Sequence, residues 1–233
     1  MGRKLNGFTL AEVLITLVII GVIAAMTIPS LMNKTNEQET VVAVKKAYSI
    51  ISQAYQRVIA ENGEINPSSL GSDDKEASKT LGKMFVKQLN TQKVCGQTSD
   101  GDCFGEGMYK FFNGDDWGDW NAKTEDGWYD YKIRLSDGMS VGIFGRFAYI
   151  NVGNNDALQN CLGHISVDVN GNKGPNTLGK DVFQFWVTKY GILPIGTIND
   201  SLSFSTCRTT GQGCTAWVIA KGNVDYWSKD VSW

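Results

Sequence analysis

An α+β fold is predicted: one long N-terminal helix, its first half membrane-spanning, laid across an antiparallel β-sheet. Three observations carry this. Residues 7–29, "GFTLAEVLITLVIIGVIAAMTIP", form a nearly uncharged run. Apolar residues then recur three and four apart as far as Val58. Beyond residue 90 come β-prone runs separated by Gly- and Asp-rich turns. A single helix followed by a series of strands is the pattern of an α+β architecture.

At about 1.5 Å per residue, the stretch from Phe8 to Ile28 spans roughly 30 Å, the thickness of a bilayer core. Its one charge is Glu12. An ionisable group in such a segment costs about 3 kcal/mol or more, so it calls for a partner. Arg3 and Lys4 in Met1–Gly7 place that end on the cytoplasmic side. A secretory signal would show a shorter apolar core and then a small-x-small cleavage site. Here the small residue, Gly7, precedes the apolar run. Cleavage there removes a leader of seven residues and keeps the apolar segment.

"KLNGFTLAEVLITLVIIGVIAAMTIP" resembles the N-terminal signature of type IV pilins and of the pseudopilins of type II secretion. The resemblance implies that a prepilin peptidase cuts after Gly7 and methylates Phe8. It also places Glu12 at the family's glutamate position, and Gly21 and Pro29 where the family tends to have glycine and proline. The implied partners are that peptidase, other pilin subunits in a homo- or hetero-filament, an inner-membrane assembly platform and membrane lipid. The implied location is a single-pass inner membrane with the C-terminal domain outside the cytoplasm, followed by a filament in the periplasm or at the surface. Physically, cleavage gives Phe8 an amine whose charge methylation preserves. Glu12, four residues on, lies about one turn away. The expectation is that it neutralises the Phe8 amine of an adjacent subunit and sets axial register, because an unpaired carboxylate in apolar surroundings protonates or seeks a cation.

The chain has 233 residues and a formal charge of −2, which becomes −4 once Arg3 and Lys4 leave with the leader. This mild acidity, with no basic stripe outside the leader, argues against a nucleic-acid partner. The division expected is 1–7 leader, 8–29 transmembrane and assembly helix, 30–62 amphipathic continuation and 63–233 globular domain. Val41, Val44, Tyr48, Ile51, Tyr55 and Val58 form the apolar face of the continuation. Pro29 predicts a kink or melted turn, and Gly63 with Pro67 ends the helix.

"KEASKTLGKMFVKQL" predicts a second helix with Leu81, Met84, Phe85 and Leu89 on one side. Residues 95–131 read as an irregular excursion rich in Gly, Asp and aromatics. The strands expected are "WYDYKIRL", "MSVGIFG", "RFAYINV" and "HISVDVN", with "SDG" as a hairpin turn after the first. "VFQFWVTKYGILPIG" adds a strand and an exit turn, and "CTAWVIAKGNVDYW" a last strand or short helix.

Five cysteines face an oxidising compartment if the anchor lies as expected. Cys95/Cys103 and Cys207/Cys214 are the simplest bridges, leaving Cys161 free, although spacing alone does not fix connectivity. No C-x-x-C spacing occurs, and His164 is the only histidine, so zinc is not expected. "DVNGNKGPNTLGKD" places Asp168, Asn170 and Asn172 like the start of an EF-hand, but Lys173 and Gly179 break that pattern. Major pseudopilins hold calcium in a loop near the C-terminus, so Asp168 and Asp181 are a possible cage of another kind. A Gly/Asn/Pro turn between strands is the reading favoured, with no metal or cofactor.

Trp117, Trp120, Trp128, Tyr129 and Tyr131 lie among acids. They either cover the sheet edge, the simpler reading, or contact a sugar or a partner surface. No G-x-S-x-G, P-loop or H-E-x-x-H occurs, and Cys–His chemistry needs a thiol to reach His164. The function expected is a structural filament subunit, not an enzyme. The alternative is a binding module displayed on such a filament in small numbers, like an adhesive minor pilin.

Overall fold

The computed structural model describes residues 9–98, 102–120 and 130–233. The chain divides into two compact units, Met1–Glu39 and Thr40–Trp233. Helix α1 runs from Leu10 to Asn62, with Pro29 inside it. The helix is continuous at Pro29, so of the kink or melted turn expected there the melted turn does not form. Proline removes one N–H from the ladder, and the rest of the helix carries on around that loss.

In the first unit the apolar side chains stand exposed, among them Leu10, Val18 and Met26. From Val41 the periodicity has its partner. Val41, Val44, Ala47, Ile51, Ala54, Tyr55 and Val58 are buried in the main core. Two tyrosines tie this part of α1 to the sheet. Tyr55 donates its hydroxyl to the carbonyls of Thr188 and Lys189 at 2.8 and 2.9 Å. The Tyr48 ring stacks on Phe185 at 5.8 Å.

Helix α2 spans Asp74–Val86. Asp73 caps it by accepting from the Glu76 amide, and Glu76 returns the bond to the Ser72 amide. Its buried side carries Ala77, Ser78, Leu81, Gly82 and Phe85. The sheet is built from β1 (Thr91–Gly96), β4 (Tyr131–Leu135), β5 (Ser140–Ile150), β6 (Cys161–Asp168), β7 (Val182–Thr188) and β8 (Gly191–Pro194), in that spatial order. All five pairings are antiparallel. A separate two-stranded ribbon, β2 (Tyr109–Lys110) with β3 (Asp116–Gly118), forms part of the excursion. The four-residue helix α3 (Asp156–Gln159) joins β5 to β6, and α4 covers Cys214–Lys221.

Strands alternate their faces, so this register sorts residues into two sets. Ile133, Val141, Ile143, Ile165, Val167, Phe183, Phe185 and Val187 join the core shared with α1 and α2. The opposite face presents Lys132, Ser140, Gly142, Phe144, His164, Ser166, Asp168, Gln184 and Trp186. This second face is also covered. Phe104, Tyr109 and Trp120 from the excursion form a cluster with Leu178 and Val182.

Two local expectations change, and an open one is resolved. "MSVGIFG" and "RFAYINV" belong to one eleven-residue strand, β5. Gly145, in the middle, is not a turn: a Cβ there would lie 2.7 Å from the Ala77 carbonyl oxygen, so glycine lets α2 approach. "VFQFWVTKYGILPIG" is a complete hairpin, β7–β8, rather than a strand and an exit. The C-terminal segment resolves into the short helix α4, ended by Gly222 in the left-handed conformation at φ 69°. Both expected bridges are present, Cys95–Cys103 and Cys207–Cys214.

Candidate functional site

The start of α1 is built by a reciprocal cap. Thr9 precedes the first helical residue, and its carbonyl accepts from the Val13 amide. Its hydroxyl accepts from the Glu12 amide at 3.3 Å, while Glu12 Oε2 accepts from the Thr9 amide and hydroxyl, both at 2.8 Å. This is the Thr-x-x-Glu capping box, which satisfies two otherwise orphaned backbone donors. Glu12 is therefore not a bare acid within its own chain. Gly7 and Phe8, the proposed processing residues, lie outside the described residues, so the Glu12–Phe8 relation has no geometry here. The Thr9 amide survives cleavage after Gly7, so the cap is compatible with a processed N-terminus.

Past the cap, as far as Met32, the helix supplies only apolar residues and hydroxyls. Thr16, Thr27 and Thr35 donate to the carbonyls of Val13, Ile23 and Leu31, which removes their polarity from the surface. Among the described residues α1 alone is long and apolar enough to cross a membrane, by length and composition. Gly21 has open space where a Cβ would stand, so nothing within the chain demands glycine there.

The Asp168–Asp181 loop is brought together, and its two carboxyl groups already have protein donors. Asp168 Oδ2 accepts from the Tyr109 hydroxyl at 2.7 Å, and Oδ1 from the Asn170 amide at 3.2 Å. Asp181 accepts from the amides of Asn176 and Thr177 at 2.7 and 2.6 Å. Burial pushes Asp168 up to about 8, against the Tyr109 hydrogen bond and reinforced by the charge of Asp181. Burial raises Asp181 as well. The two carboxyls brace the turn between β6 and β7 against the excursion. No group of three or more His, Cys, Asp or Glu placed to hold a metal occurs among the described residues.

The aromatic segment covers a sheet face rather than an edge. Trp120 is buried and rests on Gly142, where a Cβ would meet its ring at 2.2 Å. Trp117 packs edge-on to Trp120 at 5.1 Å, and Tyr131 is buried on β4. Trp128 and Tyr129 lie outside the described residues.

Cys161 and His164 share β6, but the thiol turns to backbone, donating to the carbonyls of Gly163 and Val187 at 3.1 and 3.4 Å. Burial pushes that thiol up to about 12, so it stays protonated at neutral pH. His164 stacks against Phe144 at 5.1 Å. Burial, then the nearby Arg146 charge, hold it down to about 4. The pair does not form a nucleophile–base couple. Sequence reading missed the polar, buried back of the sheet. Its signal, polar residues alternating with the β6 and β7 core positions, is that of an ordinary solvated face until the excursion is known to cover it.

The model of the prokaryotic N-terminal methylation motif matches residues 2–28, the signature of type IV pilins and pseudopilins. No curated protein and no solved structure matches the chain. The motif supports a type IV pilin-like or pseudopilin subunit, and implies processing by a prepilin peptidase and assembly with other pilins. Together with one apolar N-terminal helix, it fits an inner-membrane-anchored pilin.

Proposed function

We propose that this chain is a structural subunit whose leader is cleaved between Gly7 and Phe8, whose Phe8 is then N-methylated, and which assembles through α1 into a type II secretion pseudopilus or type IV pilus. The observation that carries the reading is the methylation motif at residues 2–28, placed at the head of a helix with an exposed apolar surface. The apolar run of the first unit is a membrane span before assembly and a packing surface after it. Water does not suit it in either state. The C-terminal domain lies outside the cytoplasm, where the disulfides Cys95–Cys103 and Cys207–Cys214 persist.

In this reading Glu12 exchanges part of its capping box for the Phe8 amine of a neighbouring subunit. A pair of opposite full charges outweighs one cap hydrogen bond of about 1 kcal/mol. Substitution Glu12→Val tests it by the yield of sheared filaments or pseudopili. Loss of assembly with an intact, membrane-inserted chain is expected, and wild-type yield would remove the pairing. The second reading, a scarce binding module on such a filament, is distinguished by copy number in isolated filaments.

A further inference from the structure

On the back of the sheet, a cavity of about 230 Å³ lies between the β3 end of the excursion and the segment that follows β8. An engineered cavity of about 150 Å³ holds a benzene, so this volume admits a ligand of roughly ten heavy atoms. Trp117, Phe144, His164 and Trp186 supply aromatic walls, and Asp130 and Gln184 supply polar groups. Sheet register creates the platform: Phe144 pairs with His164, and His164 with Trp186, across three adjacent strands. The platform is fixed from behind. Trp186 Nε1 donates to Asp200 Oδ2 at 2.8 Å, and Gln184 Nε2 donates to Ser166 Oγ at 3.0 Å.

What sets this cavity apart is a deficit of donors. Asp130 is 7% exposed and Gln184 4%. Among the described residues, Asp130 Oδ1 and Gln184 Oε1 have no hydrogen-bond partner. Buried acceptors of this kind are ordinarily paired, and leaving them unpaired is costly. The nearby fixed cations each hold another partner, and the charge of Lys132 also acts on Asp130. Lys132 Nζ donates to the Trp120 carbonyl at 2.7 Å, and Arg146 bonds Asp74 at 2.6 Å while lying over the Phe144 ring. The terminal torsions of Asp and Gln are broad, so a modest rotation presents either oxygen to the cavity. A sugar would bring acceptors as well as donors, and the surplus here is of acceptors beside electron-rich ring faces. Such faces attract cations.

We propose that this cavity binds a small organic ammonium ion, its N–H donors taken by the Asp130 carboxylate and the Gln184 amide oxygen and its apolar body by Trp117 and Trp186. Burial pushes Asp130 up to about 6, opposed by Lys132, so the carboxylate is charged in neutral solution. His164, neutral there, offers the cation no repulsion. The cavity walls all come from the second unit, Thr40–Trp233.

The test is calorimetric titration of the full chain in detergent micelles, corrected against micelles alone, with cyclohexylammonium chloride, cyclohexanol and glucose. Saturable binding of cyclohexylammonium is expected, about tenfold or more tighter than cyclohexanol, because only the former brings a full positive charge to the carboxylate. Asp130→Asn is expected to weaken it by a similar factor while the near-ultraviolet circular dichroism is unchanged. No saturable heat with cyclohexylammonium would mean a cavity for water only and overturn the proposal. Equal affinity for cyclohexanol, or tighter binding of glucose, would overturn it equally. These contrasts use the unsubstituted chain, so they stand even if Asp130→Asn misfolds.

Discussion

The first unit of α1 and the back of the sheet invert the usual distribution of polarity in opposite senses. Along α1, Leu10 and Met26 are 79% and 74% exposed. Behind the sheet, Asp168 and Ser166 are wholly buried and Lys132 nearly so. The difference teaches that each inversion has its own remedy. Exposed apolar surface is relieved only by surroundings outside the chain, in lipid or neighbouring helices. Buried polar groups such as Asp168, Lys132 and Asp181 are relieved internally, where Tyr109, Trp120 and loop amides supply partners. One region depends on surroundings outside the chain and the other on the folding of a single domain.

Substitutions should separate the two. The largest effect is expected from Phe185→Ala, which empties a fully buried position stacked by Tyr48. A loss of about 3–5 kcal/mol follows from the deleted ring and its cavity. Thermal unfolding of the C-terminal domain measures it, while leader removal, read by gel mobility, should persist because the motif ends at residue 28. If both fail together, the division between the regions is wrong.

Tyr109→Phe should cost less, about 1–3 kcal/mol, by taking the hydroxyl from the buried Asp168 carboxyl group. Denaturant unfolding reads that loss. An unchanged midpoint would show that the Asp168 carboxyl is satisfied without the excursion.

The smallest effect is a pH slope. Asp168 is raised from 3.8 to about 8, so its contribution to stability is complete below 3.8 and is lost as pH rises through about 8. His164 is lowered from 6.5 to about 4, so its contribution is present above 6.5 and lost as pH falls through about 4. Below 6.5 the two oppose each other. Between 6.5 and 8 only the aspartate of this pair acts, so the thermal midpoint should decline as pH rises, and Asp168→Asn should flatten that decline. A steepening on substitution would contradict the assignment.

Much of this fold is legible in the sequence where periodicity and burial coincide. The spacing from Val41 to Val58 marks the face of α1 that joins the core, because one side of that helix meets the sheet. The bridges follow from short separations between paired cysteines. What the sequence conceals depends on distant neighbours. Gly145 reads as a break between two strands, and only the approach of α2 explains why a strand needs glycine there. "AWVIA" suits strand or helix equally until the Gly222 cap decides. The N-terminal site is readable because its chemistry lies in one continuous segment. The cavity is not, because Trp117, Asp130, Gln184 and Gln212 meet only through sheet register and loop closure.

The central claim is that the apolar helix is released at Phe8 to enter an assembly. Intact-mass and N-terminal fragment spectrometry of the chain recovered from its own cells tests this most directly. The account predicts a polypeptide beginning at Phe8 with one added methyl group. Residues 1–7 still attached, in cells that process their other prepilins, would contradict it and leave a tethered domain.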